Sequence, residues 1–403
     1  MDEEKRRRME MDFFQGNTGP ATDAALELLS GLDLDDDDDA AMAADIVSRG
    51  LASSDGSGFV SRLAESGFDF GTRFPDGQGL VTVYASRGRS DPAVYSALRD
   101  AGADLCMANR NGSTALHILA SMEKSPWSKD READMAVLAG MPDNVSSWMV
   151  CDAYGATPLH LAVLNRHHEL VKSLLDAGAD PCATGTSIRD GYGHAVDFDG
   201  TTPLHLACLI GDETSAGMLI DAGASDGCTD SKGRRPAHLA VSPPPLPYCR
   251  EYDSVPGKDA VNARKKAVLK LLNDIDSPDD SGKTPLLITL ISYRYDNGGL
   301  SETLLEQGAD PNRSANDGTT PLMAAASNGH GQALKALVAA GADLDVQDRH
   351  GRTALHHAVS WRDEKAARFL IKKGARTDIP DETGATAVEM AASAGMESVL
   401  ELL

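Results

Sequence analysis

The sequence contains few aromatic residues and no long apolar run. Aromatic side chains make up only 5% of the chain, so its hydrophobic core has to be built from Leu, Ala, Val and Ile. Such a core favours thin layers of helices over a thick sandwich of sheets. Because no apolar run of about 18 residues is present, no transmembrane helix is predicted. The basic run near the N-terminus is not followed by the apolar stretch that a secretory signal requires.

Cysteine is equally scarce. The chain has 403 residues and 6 cysteines, and no two of them form a C-x-x-C pair. A disulfide framework is therefore not expected, and reduced thiols inside a cell are the simpler interpretation. We expect an intracellular, cytoplasmic protein, with the nucleus as the alternative compartment.

Basic residues are outnumbered by acidic ones. The sequence has 38 Lys and Arg against 61 Asp and Glu, a formal net charge of -23. Such a surface repels phosphates, so binding to nucleic acid or to an anionic membrane surface is not expected. Membrane insertion is not expected either, because the long apolar run is absent. The sequence also has no Gly-rich phosphate loop, Cys–His nucleophile pair or calcium-loop pattern. We therefore predict that the chain is not an enzyme and binds neither a cofactor nor a metal ion. The expected partner is another protein, and the chain itself is expected to be a monomer.

The most informative feature is an internal repeat. A tetrapeptide close to Thr-Pro-Leu-His recurs along the chain. It begins at Thr114, Thr157, Thr202, Arg235, Thr284, Thr320, Thr353 and Thr386. Three of the steps between these positions are 33 residues long, and the others are 36 to 49 residues long. The sequence therefore has a period of 33 residues with insertions at defined places.

A second marker keeps the same period. A Gly-Ala-Asp or a close variant ends an apolar helical run at Gly102, Gly178, Gly223, Gly308, Gly341 and Gly374, and an Asp/Asn-x-x-Gly or a close variant precedes each Thr. Thr can cap a helix, Pro fits the first helical position, and Gly allows a left-handed C-terminal cap. Each unit is thus predicted to be two helices joined by a turn.

The pattern D-x-x-G-x-T-P-L-H-x-A, followed by a helix that ends in L-L-x-x-G-A-D, resembles the ankyrin repeat. It implies an all-α ankyrin-repeat solenoid of helix-turn-helix units with short β-hairpin-like finger loops. We expect about nine repeats over residues 57–403, including a degenerate repeat that ends near Leu63 to Asp69 and a C-terminal cap over Asp381 to Leu403. One repeat cannot bury both of its faces, so the stack is cooperative.

The first departure from the repeat is the acidic segment 1–56. From Asp2 to Asp55 it has 15 acidic and 5 basic residues, which predicts a mostly disordered segment. The basic run Lys5 to Arg8 is a candidate nuclear import signal. Leu26, Leu29, Leu32 and Leu34 have a spacing similar to that of a leucine-rich nuclear export signal. The alternative to an export signal is a short amphipathic helix after Thr22-Asp23 that docks on the first repeat.

Three insertions are predicted inside the repeats. The first, at 123–134, carries Trp127 and is either a site of specific function or a plain surface loop. The second, at 182–196, extends a finger loop and is either a site of specific function or a flexible spacer. The third, at 242–262, contains Pro243 to Pro247, whose run resembles the polyproline ligands of WW-type domains, with a stiff spacer as the alternative.

Five histidines occupy the same motif position. They are His117, His160, His205, His238 and His356. The resemblance implies that each bonds to the backbone near its own turn and the next one. They stand one repeat apart, so they cannot converge on one metal ion, whose ligands lie about 2 Å away.

The resemblance also implies where a partner docks, on the finger loops and the inner end of each first helix. Read by repeat phase, these positions are Tyr154, Leu164, Asn165, Phe198, Asp199, Leu209, Ile210, Lys232, Arg234, Lys283, Asn316, Asp317, Arg349, His350, Arg352 and Trp361. Tyr154, Leu164, Phe198, Leu209 and Ile210 form a predicted apolar cluster. Arg349, His350, Arg352, Trp361 and Arg362 form a predicted basic-aromatic patch. Aromatic and Arg residues are frequent anchors of interfaces.

One alternative function follows from Asn312. The segment around it resembles the site that ankyrin-directed asparaginyl hydroxylases modify, although Pro311 replaces the usual aliphatic residue. On that reading the chain is a regulatory protein whose surface is changed by modification.

Overall fold

The computed structural model describes residues 8, 11, 23–34, 36–53, 55–74, 77–88, 91–122, 150–189, 195–243, 255–291 and 299–402. These residues form 20 helices and one two-stranded sheet. They divide into two compact units, Met1–Asp199 and Gly200–Leu403. No helix of the described ranges combines the length and the apolar character needed to cross a membrane.

The first unit contains eight helices. They are α1 (Asp23–Ser30), α2 (Asp37–Leu51), α3 (Gly56–Glu65), α4 (Leu80–Ser86), α5 (Pro92–Asp100), α6 (Ala115–Ser121), α7 (Pro158–Leu164) and α8 (His168–Asp176). Helices α2, α4, α6 and α7 pack in sequence along one row, while α3 packs on α2 and α5, and α8 packs on α7. This arrangement is a stack of helix pairs.

The second unit contains twelve helices. They are α9 (Pro203–Ile210), α10 (Glu213–Asp221), α11 (Pro236–Val241), α12 (Val255–Leu269), α13 (Pro285–Ile291), α14 (Leu300–Glu306), α15 (Pro321–Ser327), α16 (Gly331–Ala339), α17 (Ala354–Ser360), α18 (Glu364–Lys372), α19 (Ala387–Ser393) and α20 (Glu397–Leu400). The odd-numbered helices pack in one row, here called the inner row, and the even-numbered helices pack in a second, outer row. Each inner helix also packs on the outer helix that follows it. The predicted all-α repeat architecture is confirmed.

The core is made mainly of Leu, Ala, Val and Ile, as the composition predicted, and the first unit adds the buried aromatic side chains of Phe59, Tyr84 and Tyr95. Ala207, Ala325 and Ala358 on inner helices are at most 1% exposed, and so are Leu204 and Leu322. Each fully buried Leu stabilises the fold by roughly 1.5–3 kcal/mol. Alanine adds little volume, so adjacent inner helices approach closely.

The acidic segment contains two helices. Helix α1 begins at Asp23, where the alternative of a short helix after Thr22-Asp23 placed it. Helix α2 begins within the acidic run, because the Asp36 carboxylate accepts the backbone N–H groups of Asp38 and Asp39, both at 3.1 Å. Acidic side chains are favoured at this end of the helix dipole.

Helix α2 also belongs to the packed structure. Ile46 and Val47 are completely buried, and α2 packs on α3 and α4. The boundary predicted after residue 56 therefore falls in the first turn of α3, a helix that packs on α2, and the degenerate repeat that ends near Leu63 has α2 as its first helix. Lys5 to Arg7 lie outside the described residues, and Leu29 of the candidate export signal is buried.

The structure describes the three predicted insertions to different extents. Residues 123–134 lie outside the described residues, and so do 244–247 of the proline run. The second insertion, at 182–196, contains strand β1 (Gly185–Arg189) and the start of strand β2 (Ala195–Thr201). The two strands pair with each other, so part of this insertion is regular structure. The third insertion is shorter than predicted, because α12 begins at Val255 and buries Val261 and Asn262.

Candidate functional site

The finger loops are closed by an aspartate. Before α17, the Asp348 carboxylate accepts the backbone N–H groups of His350 at 2.8 Å and Arg352 at 2.9 Å. Gly351 has a φ of 72°, in the left-handed region that glycine adopts without strain. The same pair of bonds forms at Asp152, Asp230 and Asp279 in the loops before α7, α11 and α13. Each loop therefore holds its backbone by internal bonds.

Successive finger loops are also bonded to each other. The N–H of Arg349 donates to the Asp317 carbonyl at 3.1 Å, and the N–H of Glu382 donates to the His350 carbonyl at 2.9 Å. The loops of the second unit thus form a hydrogen-bonded row, which presents side chains from fixed positions. Fixed positions lower the entropy lost when a partner binds.

The motif histidines connect each helix to the following loop. Nε2 of His205 lies 3.0 Å from the carbonyl oxygen of Arg234, while Nδ1 lies 3.1 Å from the N–H of Thr202. A carbonyl only accepts, so Nε2 carries the proton and Nδ1 accepts. His117, His238 and His356 make the same two kinds of bond, and their Nε2 atoms lie 3.0–3.3 Å from the next loop's carbonyl. The implied structural role is confirmed for these four histidines.

Burial favours the neutral form of three imidazoles, those of His117, His205 and His238. It lowers the pKa of His205 to about 4, and it also lowers the pKa of His117 and His238. Among the described residues, no group of three His, Cys, Asp or Glu side chains is arranged to hold a metal ion.

The predicted docking residues differ in exposure. Lys232, Asp199, Arg349, His350 and Trp361 are exposed, and Tyr154, Asn165, Arg234 and Arg352 are half-buried. Phe198 lies on β2, and its side chain is outside the described part of the structure. Tyr154 to Asp199 belong to the first unit, and the other docking residues belong to the second.

The predicted apolar cluster needs correction. Leu164 is 6% exposed, Leu209 is 4% exposed and Ile210 is 1% exposed, so none of them presents a surface to a partner. The physical reason is that every residue of α7 and of α9 is buried, including the last turn that repeat phase had assigned to the surface. These side chains stabilise the core.

The basic-aromatic patch is accessible at both ends of α17. Arg349, His350 and Arg352 precede this helix, and Trp361 and Arg362 follow it. The helix has seven residues, so about 10 Å separates the two groups. The patch therefore extends along one inner helix.

The loop end of the patch is partly neutralised by local partners. His350 Nδ1 lies 2.9 Å from Glu382, and Arg352 Nε lies 3.4 Å from Asp348, whose carboxylate is buried. A guanidinium N–H of Arg349 donates to the Asn316 carbonyl at 2.7 Å. The side chain of Arg362, by contrast, makes no ion pair or hydrogen bond with any described residue, and Trp361 beside it is 57% exposed.

Arg362 has an uncommon backbone conformation. Its φ is 56°, and Arg166 in the first unit has the same value. Both lie in the turn between a first and a second helix, where Gly211, Gly329 and Gly395 stand in other repeats with φ of 66–71°. A non-glycine residue in this region is destabilised by roughly 1–2 kcal/mol.

A groove lies beside Arg362, between α17 and α19. Its volume is about 430 Å³, and it is lined by Val359, Ser360, Arg362, Ala385, Glu389, Met390, Ser393 and Ala394. The α19 side of this groove was not predicted, because no docking position was read from the last repeat. Ser393 and Ala394, which follow the motif alanine of α19, were the available signal.

A serine, a histidine and an aspartate lie in series near the patch. Ser327 Oγ is 3.1 Å from Nδ1 of His357, whose Nε2 is 2.9 Å from Asp348. The Ser327 hydroxyl also donates to the Met323 carbonyl at 2.9 Å, so two acceptors compete for its one proton. This contact gives the hydroxyl a helix-terminal bond and does not by itself make it a nucleophile.

Asn312 is exposed, but its amide is engaged. Nδ2 donates to the Gly341 carbonyl at 3.3 Å, and Oδ1 accepts the N–H of Asp343 at 2.7 Å. A hydroxylase would have to draw this side chain away from the next repeat. Hydroxylation of Asn312 stays a prediction.

Comparison with known proteins gives two matching family models. One, described as ankyrin repeats in three copies, matches residues 82–185, 259–348, 291–381 and 332–403. Another, described as ankyrin repeats in many copies, matches residues 159–220. Among solved structures, the ankyrin repeat domain of Bcl-3, described as a unique member of the IkappaB protein family, is similar with 25% identity and a TM-score of 0.47. That match covers 62% of this chain and 98% of the Bcl-3 domain.

Proposed function

The chain belongs to the ankyrin-repeat family, and we propose that it is a non-enzymatic scaffold or adaptor that binds a partner protein on the finger loops and inner helices of its second unit. Ankyrin repeats generally mediate interactions between proteins. The surface favoured for this role is the basic-aromatic patch.

The observation that carries the proposal is the exposure of Trp361 beside Arg362 on a scaffold held by internal hydrogen bonds. Trp361 is 57% exposed, and large apolar side chains with this exposure are few among the described residues. Trp and Arg are the side chains that most often dominate binding energy. The proposed partner therefore contacts Trp361 without any rearrangement of the helices.

Proximity labelling in cells tests the proposal. The full chain fused to a labelling enzyme is compared with its Trp361→Ala variant and with Lys335→Ala, which removes an exposed side chain from the outer helix α16. We expect a set of labelled proteins that is lost in Trp361→Ala and kept in Lys335→Ala. An identical set in all three samples, or no enriched protein, would refute binding at this surface.

A further inference from the structure

The repeat that carries the patch is basic, unlike the rest of the chain. From Arg349 to Arg376 the sequence has eight Lys and Arg but two Asp and Glu, a net charge of +6 within a chain of -23. Charges separated by more than about 8 Å are largely screened at physiological ionic strength. Five of these basic residues lie on the outer helix α18 or after it. The positive charge that a ligand on the inner row meets therefore comes from Arg349, Arg352 and Arg362, at the two ends of α17.

The acidic side chains near the groove are held by hydrogen bonds, and one of them, Glu389, lines the groove with its charge retained. Glu389 accepts the N–H of Thr386 at 2.8 Å, and Asp363 accepts the N–H of Ala366 at 2.9 Å. Glu382 pairs with His350, as described above. The guanidinium of Arg362, which lines the groove, remains available for a carboxylate.

We infer that the groove between α17 and α19 binds an acidic segment of the partner protein. One carboxylate of the segment pairs with Arg362, a second lies toward the Arg349 end of α17, and an apolar side chain between them enters the 430 Å³ groove. Arginine binds carboxylates in a two-pronged geometry that gives direction as well as attraction. This inference rests on the proposed function and adds the chemical class of the partner.

A peptide fits this site better than a longer polyanion. The three arginines of this surface lie at the ends of one inner helix, whereas a nucleic acid or a membrane would extend over neighbouring acidic surface. The groove also offers apolar walls from Val359, Ala394 and Met390, which a phosphate backbone does not use.

A selection from a library of random dodecapeptides on the full chain tests the inference. We expect enriched peptides to contain a surplus of Asp and Glu around an apolar residue. A synthetic peptide of the enriched sequence should bind about tenfold more weakly to Arg362→Gly, since a hydrogen bond to a charged group contributes about that much. Gly is the residue at the matching turn of other repeats, so this variant removes the charge and keeps the turn.

The matched control is Arg166→Gly, which makes the same backbone change in the first unit. It should leave peptide affinity unchanged. Enriched peptides without acidic residues, or equal affinity for Arg362→Gly and the unchanged chain, would overturn the inference. So would Arg362-dependent binding of a DNA duplex or of phosphatidylserine vesicles in place of peptides.

Failure of the inference is separable from failure of the proposed function. Labelled proteins that depend on Trp361, together with enriched peptides that are not acidic, would remove only the acidic partner. Absence of Trp361-dependent labelling would remove the proposed function as well.

Discussion

Nε2 of His205 lies 3.0 Å from the carbonyl oxygen of Arg234, which connects the start of α9 to the finger loop of the following repeat. His117, His238 and His356 make the corresponding contact, with 29 to 45 residues between the partners. Each such bond fixes a loop relative to the helix before it. Three loops of the second unit, those before α11, α13 and α19, are therefore positioned by buried imidazoles.

Replacement of His205 by Ala should destabilise the protein and loosen one loop. The change leaves the buried Thr202 N–H without its partner, at roughly 1–3 kcal/mol for an unsatisfied group. It also leaves the Arg234 carbonyl with only the N–H of Asp230 as a partner, so the contact between α9 and the loop is lost. Hydrogen exchange of the full chain should show faster exchange over Asp230 to Val241. His350→Ala, at an exposed histidine, is the control, and equal exchange in both variants would contradict the role of His205.

Acid should weaken the protein through the same residue. The pKa of His205 is lowered by burial to about 4, against 6.5 for an unperturbed imidazole. Its contribution is therefore complete above pH 6.5 and is lost as the pH falls through 4, and it amounts to about 3 kcal/mol. Urea denaturation at pH 7 and pH 4 should show that the stability gap between the unchanged chain and His205→Gln shrinks at pH 4. A constant gap would show that protonation of His205 is not involved.

Replacement of the two arginines that have a left-handed backbone conformation should stabilise the protein, whereas replacement of His205 destabilises it. Arg362→Gly and Arg166→Gly relieve a strained φ, although glycine also raises the entropy of the unfolded chain. The net expectation is a gain of about 0.5–1 kcal/mol in the free energy of unfolding, measured by thermal or chemical denaturation. The reverse change, Gly329→Ala, should lose about 1 kcal/mol, and a loss in all three variants would contradict the strain.

Ile210 should act through stability and not through direct contact with a partner. It is 1% exposed, so Ile210→Ala removes buried methyl groups and leaves a cavity. The expected loss is 2–5 kcal/mol in the free energy of unfolding. Denaturation of the full chain checks this value, and an unchanged stability with weakened partner binding would restore the surface role that sequence analysis assigned to it.

The repeat could be predicted from the sequence because its determinants are local. Thr202, Pro203 and His205 fall within four residues of each other, and their spacing fixes a capped helix whatever surrounds it. Helix α2 was missed because a run of aspartates predicts disorder by net charge, whereas at the first turn of a helix the same charges are stabilising.

Exposure was harder to predict than secondary structure. Ile210 and Trp361 both stand three residues after a motif alanine, yet Ile210 is buried and Trp361 is exposed. The difference depends on what packs against each turn, and repeat phase does not contain that information. The groove beside Arg362 has the same origin, since it is formed by two helices 33 residues apart in the sequence.

The measurement that tests partner binding most directly is site-specific photo-crosslinking in cells. A photo-reactive amino acid replaces Trp361 in one sample and Lys335 on the outer row in another, and the adducts are identified by mass spectrometry. We predict a distinct protein adduct at position 361 that is absent at position 335. The same adducts at both positions, or none at position 361, would contradict a partner surface on the inner face of α17.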